Sequence, residues 1–165
     1  MSEPSSRIWP TVLVSVVGAL ILTVLPLPQW LQPWRPSWIA LVMIYWLIYE
    51  PRRIGLMTAW LTGLCLDTLR GVLLGQHALA LTIMGFVAMQ FHLRVRVFPM
   101  GQQTATVFML VAIYEFMLFW VDGVSGEPGS DWRRWLSVLA STAVWPPVTT
   151  VLHRMRLVRE PAGEV

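Results

Sequence analysis

The chain has 165 residues, of which 56% are hydrophobic and 13% are charged, and its mean hydropathy is +0.61. Soluble domains carry about 25% charged residues, so this chain is too poor in charge to cover a water-facing surface. Its net charge of +3 comes from arginines scattered among apolar stretches, which excludes the basic stripe of a nucleic-acid-binding protein, and its single cysteine, Cys65, excludes a disulfide framework.

Six apolar segments predict an all-α integral membrane protein, a single polytopic domain over residues 1–165 built as a bundle of about six transmembrane helices. A helix needs about 20 apolar residues to cross the hydrocarbon core of a bilayer. Segments two and three are shorter and are joined by a tight Pro51-Arg52-Arg53 turn, which predicts a helical hairpin. The predicted spans are 8–27, 36–49, 54–69, 74–91, 104–121 and 135–153.

The arginines predict the orientation of the bundle, because the cytoplasmic loops of membrane proteins retain positive charge. Placing both ends of the chain in the cytoplasm puts eight arginines inside and four outside, and the inverted arrangement reverses that bias. The inner arginines are Arg7, Arg52, Arg53, Arg94, Arg96, Arg154, Arg156 and Arg159, and the outer ones are Arg35, Arg70, Arg133 and Arg134. An outer loop is predicted to start at Asp122 and to contain Glu127 and Asp131.

Span three carries a small residue or an acid at every fourth position, namely Gly55, Ala59, Gly63, Asp67 and Gly71. Residues at that spacing share one helix face, and small side chains let a second helix approach closely. A helix-packing role is favoured over a substrate channel. Asp67 is expected to form a salt bridge with Arg70 or to anchor the following loop, and a structural role is favoured over a proton relay.

Span five places Glu115 near its middle, where a carboxylate is costly unless it faces the bundle interior and meets a partner. A structural hydrogen bond or a contact with another protein is favoured over ion translocation. The stretch from Gly71 to His77 predicts a tight outer loop in which glycine supplies positive φ angles. Metal binding by His77 is disfavoured, because no other ligand is spaced with it.

Two motifs near the end of the chain need weighing. Trp145-Pro146-Pro147 lies in span six, and proline there predicts a kink or an interruption, either a fixed bend or a groove for another helix. Gly123-Val124-Ser125-Gly126 matches the short serine signature of rhomboid intramembrane proteases, but such a serine needs a base within hydrogen-bond reach. Neither His77 nor His153 is expected near it, so no catalytic, cofactor or metal site is predicted.

The region from Arg35 to Leu81 resembles the rod shape-determining protein MreD family in the order and spacing of its residues. The Trp145-Pro146 pair, the short basic tail, the length and the number of spans are also similar to that family. The family's positions correspond here to Arg35, Pro36, Tyr45, Trp46, Pro51, Gly55, Gly63, Asp67, Gly71, Gly75, His77, Trp145 and Pro146. The exclusive use of arginine and the arginine at position 70 depart from the family pattern.

The resemblance implies a non-enzymatic membrane scaffold of the bacterial cell-wall elongation complex, located in the inner (cytoplasmic) membrane. The expected partners are the anchor helix of MreC, the actin-like MreB, and the RodA glycosyltransferase with its transpeptidase, which together support lateral peptidoglycan synthesis and rod shape. It also implies a fold similar to the six-helix substrate-capture subunits of energy-coupling-factor transporters. Homodimer formation is left open.

A substrate-binding membrane subunit of a transporter is the main alternative, since a fold does not fix a function. That alternative predicts a polar cavity lined by residues such as Asp67, Gln76, His77 and Glu115, whereas a scaffold predicts a closed or apolar interior. An intramembrane enzyme, the third class, predicts that Ser125→Ala or Asp67→Asn abolishes turnover of a substrate. Anionic lipid is favoured over MreB as the contact of Arg52, Arg53, Arg94 and Arg96.

Overall fold

The computed structural model describes residues 8–126 and 133–159, and within these ranges the chain forms six α-helices, a short 3₁₀ helix at Gln32–Trp34 and no strand. The helices coincide with the six apolar segments, so the all-helical fold class is confirmed. Arg7, Glu127 and Asp131 lie outside the described residues. The helices are α1 Ile8–Val24, α2 Trp38–Tyr49, α3 Leu56–Arg70, α4 Gln76–Val97, α5 Met100–Ser125 and α6 Arg134–Arg159.

The helices differ in length. Among the described residues, three helical stretches are long and apolar enough to cross a membrane, Gln76–Val97, Met100–Ser125 and Arg134–Leu157, and α1 is a shorter apolar helix. Helices α2 and α3 have only 12 and 15 residues. Helix α5 continues beyond its predicted end, so Asp122 is a buried helical residue, and its predicted place in a loop is wrong. The helix continues from the end of the apolar run at Val121 to Ser125.

Helix α2 is the centre of the bundle. Every residue from Ile39 to Ile48 is buried, as expected for a helix that is apolar on all faces. Helices α1, α4, α5 and α6 surround it, while α3 packs against α4. The predicted hairpin of α2 and α3 is therefore wrong, because the neighbours of α2 already cover it and the small-residue face of α3 fits α4 instead.

The close contact between α3 and α4 depends on Gly63. A Cβ added there would lie 2.3 Å from the Cα of Ala78, so the two backbones touch. Ala59 is also fully buried, which confirms the packing face in the middle of α3. At the ends of the helix the glycines have another role, since Gly55 is the N-cap residue and Gly71 ends the helix at φ 62°.

Helix α6 passes through Pro146 and Pro147 without a break. Prolines are tolerated in membrane helices where nearby Ser and Thr side chains and neighbouring helices satisfy the freed backbone groups. The helix is therefore not interrupted, and the bend stays a prediction. The hydroxyls of Thr149 and Thr150 each donate to the Pro146 carbonyl at 2.9 Å. The neighbouring Trp145 is completely buried and fixes this part of α6 in the core.

Large apolar side chains cover the outside of the bundle. Leu13 and Ile21 on α1, Phe86 on α4 and Phe116 on α5 are all about half exposed. A soluble monomer rarely exposes apolar side chains over such a wide surface. The outside of the bundle therefore suits lipid, in agreement with a membrane protein.

Candidate functional site

A polar cavity of about 700 Å³ lies at one end of the bundle. The ends of α1, α3 and α5 and the beginnings of α2, α4 and α6 surround it, so successive helices alternate in direction. Its polar lining is formed by Thr23, Gln29, Gln32, Arg35, Ser37, Arg70, Gln76, His77, Tyr114, Glu115, Asp122, Arg133, Arg134 and Ser137.

Asp67 holds the start of α4 just behind the cavity wall. Its carboxylate accepts hydrogen bonds from the backbone N–H groups of Gly75 at 2.8 Å, His77 at 2.9 Å and Ala78 at 3.4 Å. Gly75 adopts φ 99° and Gly71 adopts φ 62°, which confirms the tight glycine turn. The loop-anchor prediction for Asp67 is confirmed. The salt bridge predicted with Arg70 is wrong, because the N-terminus of α4 occupies both carboxylate oxygens.

His77 connects Asp67 to Arg70. Its Nδ1 lies 2.8 Å from Asp67 Oδ1, and its Nε2 lies 3.1 Å from Arg70 Nη1. Arginine can only donate, so Nε2 accepts and Nδ1 carries the proton that it donates to Asp67. Both ring nitrogens are thus engaged, and the side chain positions the Arg70 guanidinium at the cavity wall instead of offering a free metal ligand.

Glu115 lies in the cavity wall within α5 and is 6% exposed. It accepts a hydrogen bond from Ser37 Oγ at 2.7 Å, and Ser137 Oγ, which donates to the Arg35 carbonyl at 2.8 Å, lies 3.4 Å from the same carboxylate. Ser37 in turn uses its backbone N–H to donate to Ser141 Oγ at 2.8 Å. The carboxylate therefore faces the interior and finds polar partners, as its depth predicts, and it ties α5 to the start of α2 and to α6.

Asp122 follows Glu115 by seven residues, which places both acids on one face of α5 two turns apart. Arg134 reaches both of them, through a hydrogen-bonded ion pair with Asp122 and a 3.8 Å contact from its Nε to Glu115 Oε2. Gln76 also donates to Asp122. One arginine thus contacts both cavity acids, and α4 and α6 are joined across α5.

Arg35 enters the cavity from the connection between α1 and α2. Its Nη2 donates to the carbonyls of Leu22 at 2.7 Å and Leu25 at 2.8 Å, which have no partner within the helix at its C-terminal end. Burial lowers the pKa of Arg35 below its usual value, and the neighbouring Arg70 guanidinium lowers that pKa further. Pro36 lines the cavity beside it.

A second polar cluster, named the tyrosine cluster below, surrounds the other end of α2 and consists of Tyr45, Tyr49, Glu50, Arg96, Gln103, His153 and Arg156. Arg156 forms an ion pair with Glu50 at 2.6 Å. Arg96 donates from Nε to the Ile48 carbonyl at 2.7 Å and also reaches the Tyr49 carbonyl. Arg96 thus caps the open carbonyls at the end of α2, a contact that the sequence did not predict.

The tyrosines of this cluster contact side chains from α5 and α6. Gln103 donates to the Tyr49 hydroxyl at 2.9 Å, and the Tyr45 hydroxyl lies 3.4 Å from His153 Nδ1. The Tyr45 and Tyr49 rings are 4.7 Å apart between centroids. The cluster therefore ties α2 to two of its neighbours.

The remaining sequence-predicted residues lie away from the cavity. Trp46 donates from Nε1 to Ser15 Oγ at 2.8 Å and so joins α2 to α1. Pro51 lies in the turn after α2, and Pro146 is inside α6. Ser125, the residue of the rhomboid-like signature, donates to the Val121 carbonyl at 2.8 Å within the last turn of α5.

The cavity differs from the interior expected for a scaffold, and the sequence predicted only some of its lining residues. A closed or apolar interior, predicted for a scaffold, is wrong, and Gln76, His77 and Glu115 line the cavity as the transporter alternative predicts. The sequence reasoning missed Ser37, Ser137 and Arg134 as partners of Glu115. The seven-residue spacing of Glu115 and Asp122 was a usable signal for two acids on one helix face.

Comparisons with known proteins point to one family. The family model described as rod shape-determining protein MreD matches residues 6–155. The rod shape-determining protein MreD of Haemophilus influenzae is 29% identical over 148 residues, which cover 90% of this chain and 91% of that relative. No solved structure matches the chain significantly.

Proposed function

This chain belongs to the family of rod shape-determining MreD proteins, and we propose that it is a non-enzymatic membrane scaffold of the bacterial cell-wall elongation complex. The family match over residues 6–155 carries the proposal. In this role the protein binds the anchor helix of MreC in the inner membrane. It thereby supports MreB-directed lateral peptidoglycan synthesis by RodA and its transpeptidase.

The proposed topology has six membrane crossings with both ends in the cytoplasm, in a bundle similar to the substrate-capture subunits of energy-coupling-factor transporters. The alternating helix directions around the cavity and the predominance of inner arginines support this topology. Helix α2 is short, but its neighbours shield it from lipid. With this orientation the cavity lies on the outer side and the tyrosine cluster on the cytoplasmic side.

The proposed MreC contact involves α6 or the outer end of α3. Leu139 on α6 and Leu69 near the outer end of α3 are 52% and 54% exposed, and large apolar side chains of this kind suit packing against a membrane helix. Arg52, Arg53 and Arg94 are also exposed, at the proposed cytoplasmic side. There they are suited to anionic lipid headgroups, with about 1 kcal/mol for each arginine near the surface.

Affinity purification of the detergent-solubilised protein from its host, followed by mass spectrometry, tests this function. We expect MreC and the rod-shape synthases to be recovered with the wild-type protein. Leu69→Ala or Leu139→Ala should lower MreC recovery at an unchanged level of the protein. Phe86→Ala, an equally exposed apolar residue on α4, is the matched control. Recovery of no wall-synthesis partner would contradict the scaffold function.

A substrate-binding subunit of a transporter is the second candidate, and the polar cavity is the observation that favours it. Its volume of about 700 Å³ lies within the range of about 300–1,000 Å³ that is usual for small-molecule sites. The same purification separates the two candidates. Recovery of an ATPase transport module without MreC would support the transporter subunit.

A further inference from the structure

We propose that the cavity binds a phosphate-class anion, held by the guanidinium groups of Arg35, Arg70 and Arg134. Such binding goes beyond the scaffold function and does not depend on it, since a scaffold and a transport subunit would both accommodate a ligand at this place. The cavity is defined by the bundle itself, so the binding needs no partner chain.

The cavity wall carries an excess of positive charge. The wall brings Arg35, Arg70 and Arg134 together with two carboxylates, those of Glu115 and Asp122, so these side chains carry one more positive charge than negative charges. Arg134 already approaches both carboxylates, and the hydroxyl of Ser37 and the amide of Gln76 complete their hydrogen bonds. Both carboxylates thus have partners within the protein, and an additional anion would contact Arg35 and Arg70.

Arg35 and Arg70 have no carboxylate within ion-pairing distance among residues 8–126 and 133–159. Arg35 donates from one nitrogen to two carbonyls, and Arg70 makes a single hydrogen bond, to His77. The two guanidinium groups are close enough for Arg70 to lower the pKa of Arg35. An anion between them would replace this repulsion with two attractive contacts.

Unused donors lie in the same wall. Arg35 Nε and Arg134 Nη1 are buried and have no hydrogen-bond partner in the part of the chain that the structure describes. Buried N–H groups are usually paired in native proteins, so these two donors are available to an acceptor within the cavity. Both side chains line the cavity, which is large enough to admit that acceptor.

A phosphate group fits these donors better than a carboxylate does. A carboxylate has one charge and two oxygens, which a single guanidinium fork can satisfy. A phosphate monoester carries a charge of about −1.5 to −2 and three free oxygens, which matches several arginines. Helices α2 and α6 begin at the cavity, so the positive ends of two helix dipoles lie beside the anion, while Asp67 already caps the start of α4.

The phosphate group has two sources, a lipid headgroup or a soluble phosphate. Trp30 and Trp34, in the connection that also carries Arg35, are 74% and 51% exposed. Tryptophans concentrate at the level of the headgroups, so a headgroup reaches this end of the bundle easily. The cavity chemistry is the same for both sources, and two sets of probes distinguish them.

Thermal unfolding of the full-length protein in a neutral detergent is the test, since a ligand that binds the folded state raises the midpoint temperature. One set of probes compares sodium phosphate and pyrophosphate with sodium chloride at equal ionic strength. The other compares dihexanoyl phosphatidic acid with dihexanoylglycerol, which has the same chains and no phosphate. We expect a concentration-dependent rise in the midpoint in at least one set. The responding set identifies the source.

Variants locate the binding. Arg70→Gln should weaken the apparent affinity by about tenfold or more, because it removes a charged donor. Arg35→Gln should do the same, and if it also unfolds the protein, the exposed Arg70 still provides the test. Arg154→Gln, an exposed arginine near the end of α6 and outside the cavity lining, should bind like the wild type. The absence of stabilisation by every phosphate probe would overturn the proposal, as would equal binding by Arg70→Gln and the wild type.

Discussion

The two ends of α2 carry similar residues in different arrangements. In the tyrosine cluster, Arg156 meets Glu50 and Arg96 meets the last carbonyls of α2. At the cavity, Arg134 meets two acids, while Arg35 and Arg70 lack a carboxylate among the described residues. The contacts of the tyrosine cluster join helices, whereas the two cavity arginines without a carboxylate remain able to bind an anion. Arginine near a membrane surface thus has two roles that composition alone does not separate.

The largest expected effect on stability comes from Gly63, which brings α3 against α4 and so places Asp67 and Arg70 at the cavity. Gly63→Leu should lower the free energy of unfolding by about 3 kcal/mol, because its Cβ would meet the Ala78 backbone. Unfolding in detergent measures this loss, and the MreC recovery should fall with it. Gly18→Leu, at a position with open space around it, is the control. An unchanged protein level and unchanged MreC recovery would show that the helices do not need this contact.

Asp67→Ala should have the next largest effect. It removes the acceptor of three backbone N–H groups at the start of α4 and frees His77, so we expect a loss of about 2 kcal/mol in the free energy of unfolding. The same unfolding experiment applies. Thr68→Ala changes the exposed neighbouring position and should be close to neutral. Equal effects of the two substitutions would argue against the capping role.

In the tyrosine cluster, Arg156→Gln should lower the free energy of unfolding by about 1 kcal/mol, because the pair with Glu50 is only partly shielded from solvent. Arg154→Gln, an exposed arginine on the same helix, is the matched control. A double-mutant cycle with Glu50→Gln measures the coupling directly. A coupling energy near zero would remove the structural role given to this pair.

Arg70→Gln should have the smallest effect on stability, within error of the wild type in the absence of ligand, because the side chain is exposed and makes one hydrogen bond. The ligand-dependent rise in the unfolding midpoint should nevertheless fall. This separation of stability from binding is what distinguishes the cavity from the tyrosine cluster. A substantial loss of stability without ligand would instead make Arg70 a structural residue.

Much of the fold follows from the sequence because it depends on local patterns. The uniform apolarity of α2 predicts its central position, the four-residue repeat on α3 predicts close packing, and the paired glycines predict the turn before α4. The cavity does not follow in this way. It depends on contacts between distant residues, such as Ser37 with Glu115 and Arg134 with Asp122, and no local pattern specifies which helices become neighbours. For the same reason, the sequence predicted a hairpin of α2 and α3, whereas α3 packs against α4 in the structure.

The most direct test of the different roles of the two ends is complementation of a host that lacks its own copy of this protein. The variant Arg70→Gln is introduced, because Arg35 also caps the end of α1, and protein level in the membrane and cell shape are measured together. The account predicts a near-normal protein level with rounded cells, because the cavity has lost its ligand while the bundle remains intact. Rod-shaped cells at a normal protein level would contradict it.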